Sequence, residues 1–296
     1  MLFTILFLVL TILILTQSET SLYYAFYGFS LWYSKMIPAL LPFMIISGIL
    51  VRMHLTESFS NLLHPLLKRM FICSKNVSYA IIMGFLCGFP MGAKVTAELL
   101  KNNKITENEA QFLLSFCNNI GPVYFCSFVI PLLKISDPVP YLFGMYGIPF
   151  LYGIVLRHTV YKHSLSQSHI QTHTHNKSMN LLTATDESIH SSIQSILILC
   201  GYMILFNLVN IIPHFIVPSF HKYLSPLLEI TGGLSLLQGT LIPFCMCTLA
   251  FGGISCIAQT YSMIQDTNLS IKMYITHKLI ITAISTIYYI FLFLLH

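Results

Sequence analysis

Apolar residues fall in blocks near 2–15, 36–50, 78–93, 118–133, 139–156, 193–212, 234–258 and 275–295, with short polar stretches between them. Each block approaches or exceeds the roughly 20 residues that a helix needs to cross hydrocarbon about 30 Å thick. The pattern predicts an all-α polytopic membrane protein with about six to eight membrane-embedded segments. Three blocks are interrupted. "CGFPMGAKVTAELL" (Cys87–Leu100) places Gly88, Pro90, Gly92 and Lys94 where a lipid-facing helix would continue, "NNIGP" brings Gly121 and Pro122, and "FGGISCIAQTY" brings Gly252 and Gly253. Backbone that leaves a helix inside a bilayer loses several kcal/mol per unpaired group, so it survives only where it lines a cavity or is buried in protein. These breaks are therefore interior features.

Composition fixes the class. Of 296 residues, 55% are hydrophobic and 8% charged, against about 25% charged in a soluble domain. The first apolar run has no Lys or Arg before it and no clear small-residue cleavage site, so it reads as a retained span. The eight cysteines show no Cys-x-x-Cys spacing and read as small buried residues; "CMC" at Cys245–Cys247 has nothing nearby to complete a metal site. The polar stretch from Arg157 to Ser188 reads as a solvated linker. Its His169, His173 and His175 invite a metal reading, but such a loop holds no ligand in place. The ten acidic residues are scattered, and no nucleophile–base pair or phosphate-binding loop appears. We therefore expect no enzyme, no metal, no cofactor and no nucleic-acid partner.

The linker divides the chain into an N-terminal span and lead-in (1–33), a first repeat (34–156), the His-rich linker (157–190) and a second repeat (191–296). "ALLPFMIISGIL" pairs with "SILILCGYMILF", "HPLLKRM" with "SPLLEIT", and Cys87–Thr106 with Phe251–Ser270, which sets Gly88 on Gly252 and Thr96 on Thr260. Arg52, Lys68, Arg69 and Lys75 crowd one loop, which should face the cytoplasm. Lys94, Lys101, Lys104 and the linker cations share that face only if the segment near 77–93 dips into the membrane and returns. The repeats are then inverted in topology, each with a glycine-broken re-entrant hairpin, and Lys272 and Lys278 fall on the wrong side.

After the first break the chain restarts as a helix, so the turn around Gly92–Thr96 should point free amides and a positive dipole end inward, an anion site in waiting. Lys94 adds charge and Thr96 a hydroxyl. Lys94 has two open roles, solute ligand or interfacial anchor, and Glu98 four residues on is a pairing partner. Thr106 and Glu109 have capping-box spacing. Asn118 and Asn119 either cap broken backbone or bind a polar solute. The second half supplies Ser255, Gln259 and Thr260 without a charge. Paired broken segments are the pattern of transporters that bind solute near the midplane.

Over Gly84–Pro122, "GFPMGAKVTAELL" followed by "ITENEAQFLLSFCNNIGP" resembles the YlbJ-type sporulation integral membrane proteins of the nucleoside-recognition, or Gate, superfamily. The resemblance implies a bacterial cell-membrane protein, in endospore formers of the outer forespore membrane, that moves dipicolinic acid towards the spore. Lys94, Thr96, Asn118, Asn119, Ser255, Gln259 and Thr260 are then the expected solute ligands for a small organic anion. Membrane lipid, a second copy of the chain and other sporulation membrane proteins are the expected partners. A nucleoside or other small-solute transporter, and a non-transporting membrane gate or scaffold, are the alternatives.

Overall fold

The computed structural model describes residues 2–162, 180–237 and 242–295, and every regular element among them is a helix. The linker histidines His169, His173 and His175 lie outside the described residues. Among the described residues, five helices are long and apolar enough to cross a membrane: α2 (Ser18–Arg52), α8 (Val139–His158), α9 (Leu181–Ile216), the pair α12 (Ile242–Phe251) and α13 (Gly253–Ile264) taken as one span, and α14 (Ile271–Leu295). A sixth arises if α3 (His64–Phe71) and α4 (Lys75–Cys87), bent by 101° at their junction, are one span. The helix α1 (Leu2–Thr16) and the shorter α7 (Pro122–Leu133) are also apolar.

Among the described residues, the long helices α2 and α8 and the shorter α7 each carry a π turn, at Trp32–Met36, Phe143–Gly147 and Phe125–Val129. In each case a proline, Pro38, Pro131 or Pro149, follows two residues later. A proline inside a helix has no N–H to donate and its ring crowds the carbonyl four residues back. Widening the preceding turn accommodates that carbonyl and lets the helix continue across the membrane.

Two helical hairpins enter between the spans. In the first, α4 reverses at Gly88–Pro90 into α5 (Met91–Lys101), with Gly88 at φ +77°. The start and end of this hairpin lie together, since Asn76 Nδ2 donates to the Lys104 carbonyl at 3.4 Å. In the second, α10 (Pro218–Leu228) folds back at Glu229 into α11 (Ile230–Leu237). Here Gly233 rests on the backbone of Ser225 and Pro226 so closely that a Cβ would stand 2.2 Å from Pro226 N. Each hairpin is followed by a broken span. The first runs from α6 (Glu107–Leu114) through irregular backbone at 116–121 into α7, and the second from α12 through Gly252 into α13, where Gly252 and Gly253 hold φ +85° and +81°.

Side-chain contacts sort the connections into two ends. At one end Arg52 pairs with Glu187 (3.3 Å), Thr56 donates to Asn76 (2.7 Å), Arg157 Nε donates to Phe71 O (2.7 Å), Lys101 pairs with Asp266 (3.1 Å) and Ser270 N–H donates to Gln111 Oε1 (2.7 Å). At the other end Tyr24 bonds His221 (3.2 Å), and Tyr288 and Tyr289 donate to Pro140 O (3.0 Å) and Tyr141 O (2.9 Å). The first hairpin opens at the first end and the second hairpin at the opposite end.

This arrangement corrects two expectations. The break at Gly252–Gly253 does not fold back: α12 and α13 stay one span of 23 residues. The chain stays apolar past the break and turns only at the polar stretch Gln265–Ser270, so the second hairpin is α10–α11. Lys272 is not on the wrong side, because α14 starts beside Gln111 at the end that also carries Lys101 and Lys104. Lys278 marks neither face, since it is 3% exposed inside the protein.

Candidate solute site

The tip of the first hairpin is wedged against the first broken span. A Cβ on Gly84 or on Gly92 would lie 2.4 Å from the Cys117 carbonyl oxygen, and one on Gly88 would lie 2.2 Å from Gly121 N. Only glycines permit this backbone-to-backbone approach. Hydrogen bonds then fasten the two pieces: Phe89 N–H donates to Asn119 O, and Ala93 N–H donates to Asn118 Oδ1 at 3.3 Å. Asn118 Nδ2 donates across to Thr260 Oγ1 (2.8 Å) on α13 and Tyr274 Oη (3.3 Å) on α14, and Asn119 Nδ2 donates to Phe116 O (2.6 Å). The two amides thus satisfy interrupted backbone and tie four segments together, as buried polar groups require.

Lys278 completes this knot. Its ammonium donates to Asn118 O (3.1 Å) and Asn119 Oδ1 (3.3 Å), so a cation from α14 sits on the carbonyl side of the first break. The other predicted ligands lie elsewhere. Lys94 is buried but turns toward α9, donating to Ser195 Oγ (3.0 Å) and Ser191 O (3.3 Å) with Glu98 at 3.9 Å. Its ammonium is therefore directed to α9 and not to the hairpin tip. Thr96 donates to Gly92 O (2.8 Å). Ser255 is fully buried and its hydroxyl makes no hydrogen bond of standard geometry. The amides expected to be free at the start of α5 are engaged: Gly92 and Lys94 bond carbonyls of the turn, and Ala93 bonds Asn118.

At the second tip the reversal is made by Glu229, which is 2% exposed. Its carboxylate accepts from Thr231 N (3.1 Å), Gly232 N (2.7 Å) and Asn207 Nδ2 (3.3 Å). A carboxylate accepting the first amides of α11 satisfies donors that a helix start leaves unpaired, and it meets the positive dipole end.

Between the tips lies a cavity. Cys87 and Phe89 come from the first tip, Glu229 from the second, Tyr124 from the start of α7 and Gln259 from α13, with the middles of α2 and α9 forming the walls. The room for water-sized centres is about 40 Å³. One water needs about 10–15 Å³ on such a measure and a benzene-sized guest about 150 Å³. The room shown here is that of a few waters and is smaller than an aromatic solute needs.

Of the expected solute ligands, Gln259 lines this cavity, together with Gly121 of the first break, while Thr260 stands behind it on Asn118. Glu229, Tyr124 and Lys278 were not anticipated. The available signal was charge placement: Glu229 and Lys278 are single charges inside apolar runs, and an ionisable residue inside a membrane marks a functional site by default.

Residues 33–136 match the Gate family model, described as nucleoside recognition. Over 118 residues the chain is 33% identical to the sporulation integral membrane protein YlbJ of Bacillus subtilis (strain 168), a stretch that makes up 40% of this chain and 29% of that protein. The chain thus matches less than a third of that curated relative's length. No solved structure matches the chain. The matched region runs from the π turn of α2 through the first hairpin and the first break to the end of α7. This is an integral membrane protein whose residues 33–136 match the Gate model and which is similar, over 118 residues, to a sporulation integral membrane protein.

Proposed function

We propose that the chain is a membrane transporter of a small organic solute, that the cavity between the hairpin tips is its solute site, and that the hairpins gate it from opposite faces. The observation that carries this reading is that two hairpins opening at opposite ends meet at one mid-depth cavity, beside two broken spans. The described halves fall into the same order: long helix, hairpin, broken span, span. In this reading they are inverted repeats whose matching parts are the tips at Gly88–Pro90 and Glu229, and the breaks at 116–121 and Gly252. Irregular backbone at the repeat interface is where transporters of inverted repeats bind solute and coupling ions.

For the solute we propose a small organic anion, dipicolinate during sporulation. The likeness to a sporulation integral membrane protein supports this. A nucleoside is the second reading, favoured by a lining that offers a carboxamide, a carboxylate and no cation. The test is the dipicolinate content of spores from a strain lacking the gene. Its loss supports the anion, and normal content with impaired nucleoside uptake supports the nucleoside. Stoichiometric co-purification with another membrane protein, without binding of either solute, would leave a gate or scaffold role.

A further inference from the structure

Glu229 has surroundings that its helix-capping role does not require. It is buried at mid-depth and faces the cavity, yet it belongs to none of the ion pairs among the described residues, which are Arg52–Glu187, Lys94–Glu98 and Lys101–Asp266. A carboxylate offers about four acceptor positions; three take the Thr231 and Gly232 amides and the Asn207 side chain, and the Thr231 hydroxyl also approaches the carboxylate. Every one of these partners is neutral, and the same carboxyl group lines the cavity with Gln259 and with Tyr124, whose hydroxyl makes no hydrogen bond of standard geometry.

The titratable groups around Glu229 are Tyr27 on α2, Tyr124 on α7 and Cys256 on α13. The neighbouring α9 contributes Asn207, and α12 carries cysteines as its titratable residues. Lys278 lies beyond Cys256 and is bonded to the first break. No cation therefore stands beside Glu229 to balance a second negative charge brought in by a solute.

We infer that Glu229 is the proton-binding site of the transporter, so that a carboxylate solute occupies the cavity only together with a proton on Glu229. The inference rests on the organic-anion reading above. Two carboxylates sharing one poorly solvated site do not both stay ionised, because each disfavours the charged form of the other. Protonation removes the repulsion and turns one acceptor of Glu229 into an O–H donor aimed at the solute carboxylate. The chemistry is a single O–H bond, formed with a proton from the compartment that supplies the solute and broken when the proton leaves with it on the other side. A pyridine dicarboxylate dianion carried with one proton moves one net negative charge.

The test uses the full chain in lipid nanodiscs. Dipicolinate binding is measured by calorimetry in buffers of different ionisation enthalpy, across pH values above the ordinary carboxylate range. The wild type should take up about one proton per dipicolinate, and its affinity should fall about tenfold per pH unit once Glu229 is ionised. Glu229→Gln keeps the size and one acceptor, and should bind with no proton uptake and with an affinity that does not vary with pH. Wild-type binding without proton uptake overturns the inference even if the variant fails to fold. A folded Glu229→Gln protein that keeps the wild-type pH dependence overturns it too. Absence of dipicolinate binding at every pH has a different signature: it overturns the organic-anion reading, and the inference with it.

Discussion

Replacing Gly92 by alanine tests the wedge between the first hairpin and the first broken span. The added Cβ would stand 2.4 Å from Cys117 O, 3.1 Å from Cys117 C and 3.2 Å from Asn118 Cα. All three are backbone atoms, so no rotamer change relieves the contact, and tip and break must part by about 1 Å to restore ordinary packing. Overpacking of this kind costs about 1–3 kcal/mol, and the Ala93–Asn118 bond adds about 1 kcal/mol if it is lost. Alanine returns about 1 kcal/mol through its better helix propensity. The expected balance is a destabilisation of about 1–3 kcal/mol.

The control is Gly201→Ala on α9, where an added Cβ meets nothing within 4 Å. There the propensity term stands alone, and stability should hold or rise by up to about 1 kcal/mol. The assay is unfolding in detergent followed by the reactivity of buried thiols, among them Cys117 at the contact itself. Gly92→Ala should expose Cys117 earlier than wild type, and Gly201→Ala should not. Equal stability of the two variants would refute the wedge.

Lys278→Met removes the ammonium from the first break while keeping an apolar side chain of similar length. Because a buried charge without a carboxylate partner is itself costly, stability should change by less than about 2 kcal/mol, while solute flux is lost; unfolding of the variant, or unchanged flux, would contradict this. Thr106→Ala should cost about 1 kcal/mol, since the Thr106 hydroxyl and the Glu109 carboxylate cap the start of α6 reciprocally; an unchanged melting temperature would count against the cap. Cysteines placed at Lys101 and Lys272 should react with an impermeant reagent from one face of sealed vesicles, and one at Lys222 from the other, above the background of the native thiols. Labelling of Lys101 and Lys272 positions from opposite faces would overturn the end assignment.

What the sequence made legible was local. Apolar block length gives the all-helical membrane class from contiguous residues, and Gly88 with Pro90 gives the first reversal and Thr106 with Glu109 the capping box from residues within one turn of each other. What stayed hidden depends on distant pairs. Asn118 meets Thr260 and Lys278 across more than a hundred residues, so no local spacing shows that both amides are spoken for. Lys94 follows a glycine turn and looks like a solute ligand, but the α5 face on which it lies turns its ammonium to Ser191 and Ser195 on α9. The second hairpin escaped because its tip has no glycine. Glu229 makes that turn through its carboxylate, and Gly232 and Gly233 lie just past it. The glycine pair at 252–253 imitated a hairpin tip, but the chain runs through it as one span.

The most direct test of the account is solute flux into vesicles containing the purified protein, with wild type and Gln259→Leu compared for dipicolinate and for a nucleoside. Gln259 lines the cavity and makes no side-chain bond to the knot behind it, so its loss should leave folding intact and abolish saturable flux of the transported solute. Flux through folded Gln259→Leu equal to that of wild type, or no flux of either solute through the wild type, would contradict a solute site between the hairpin tips.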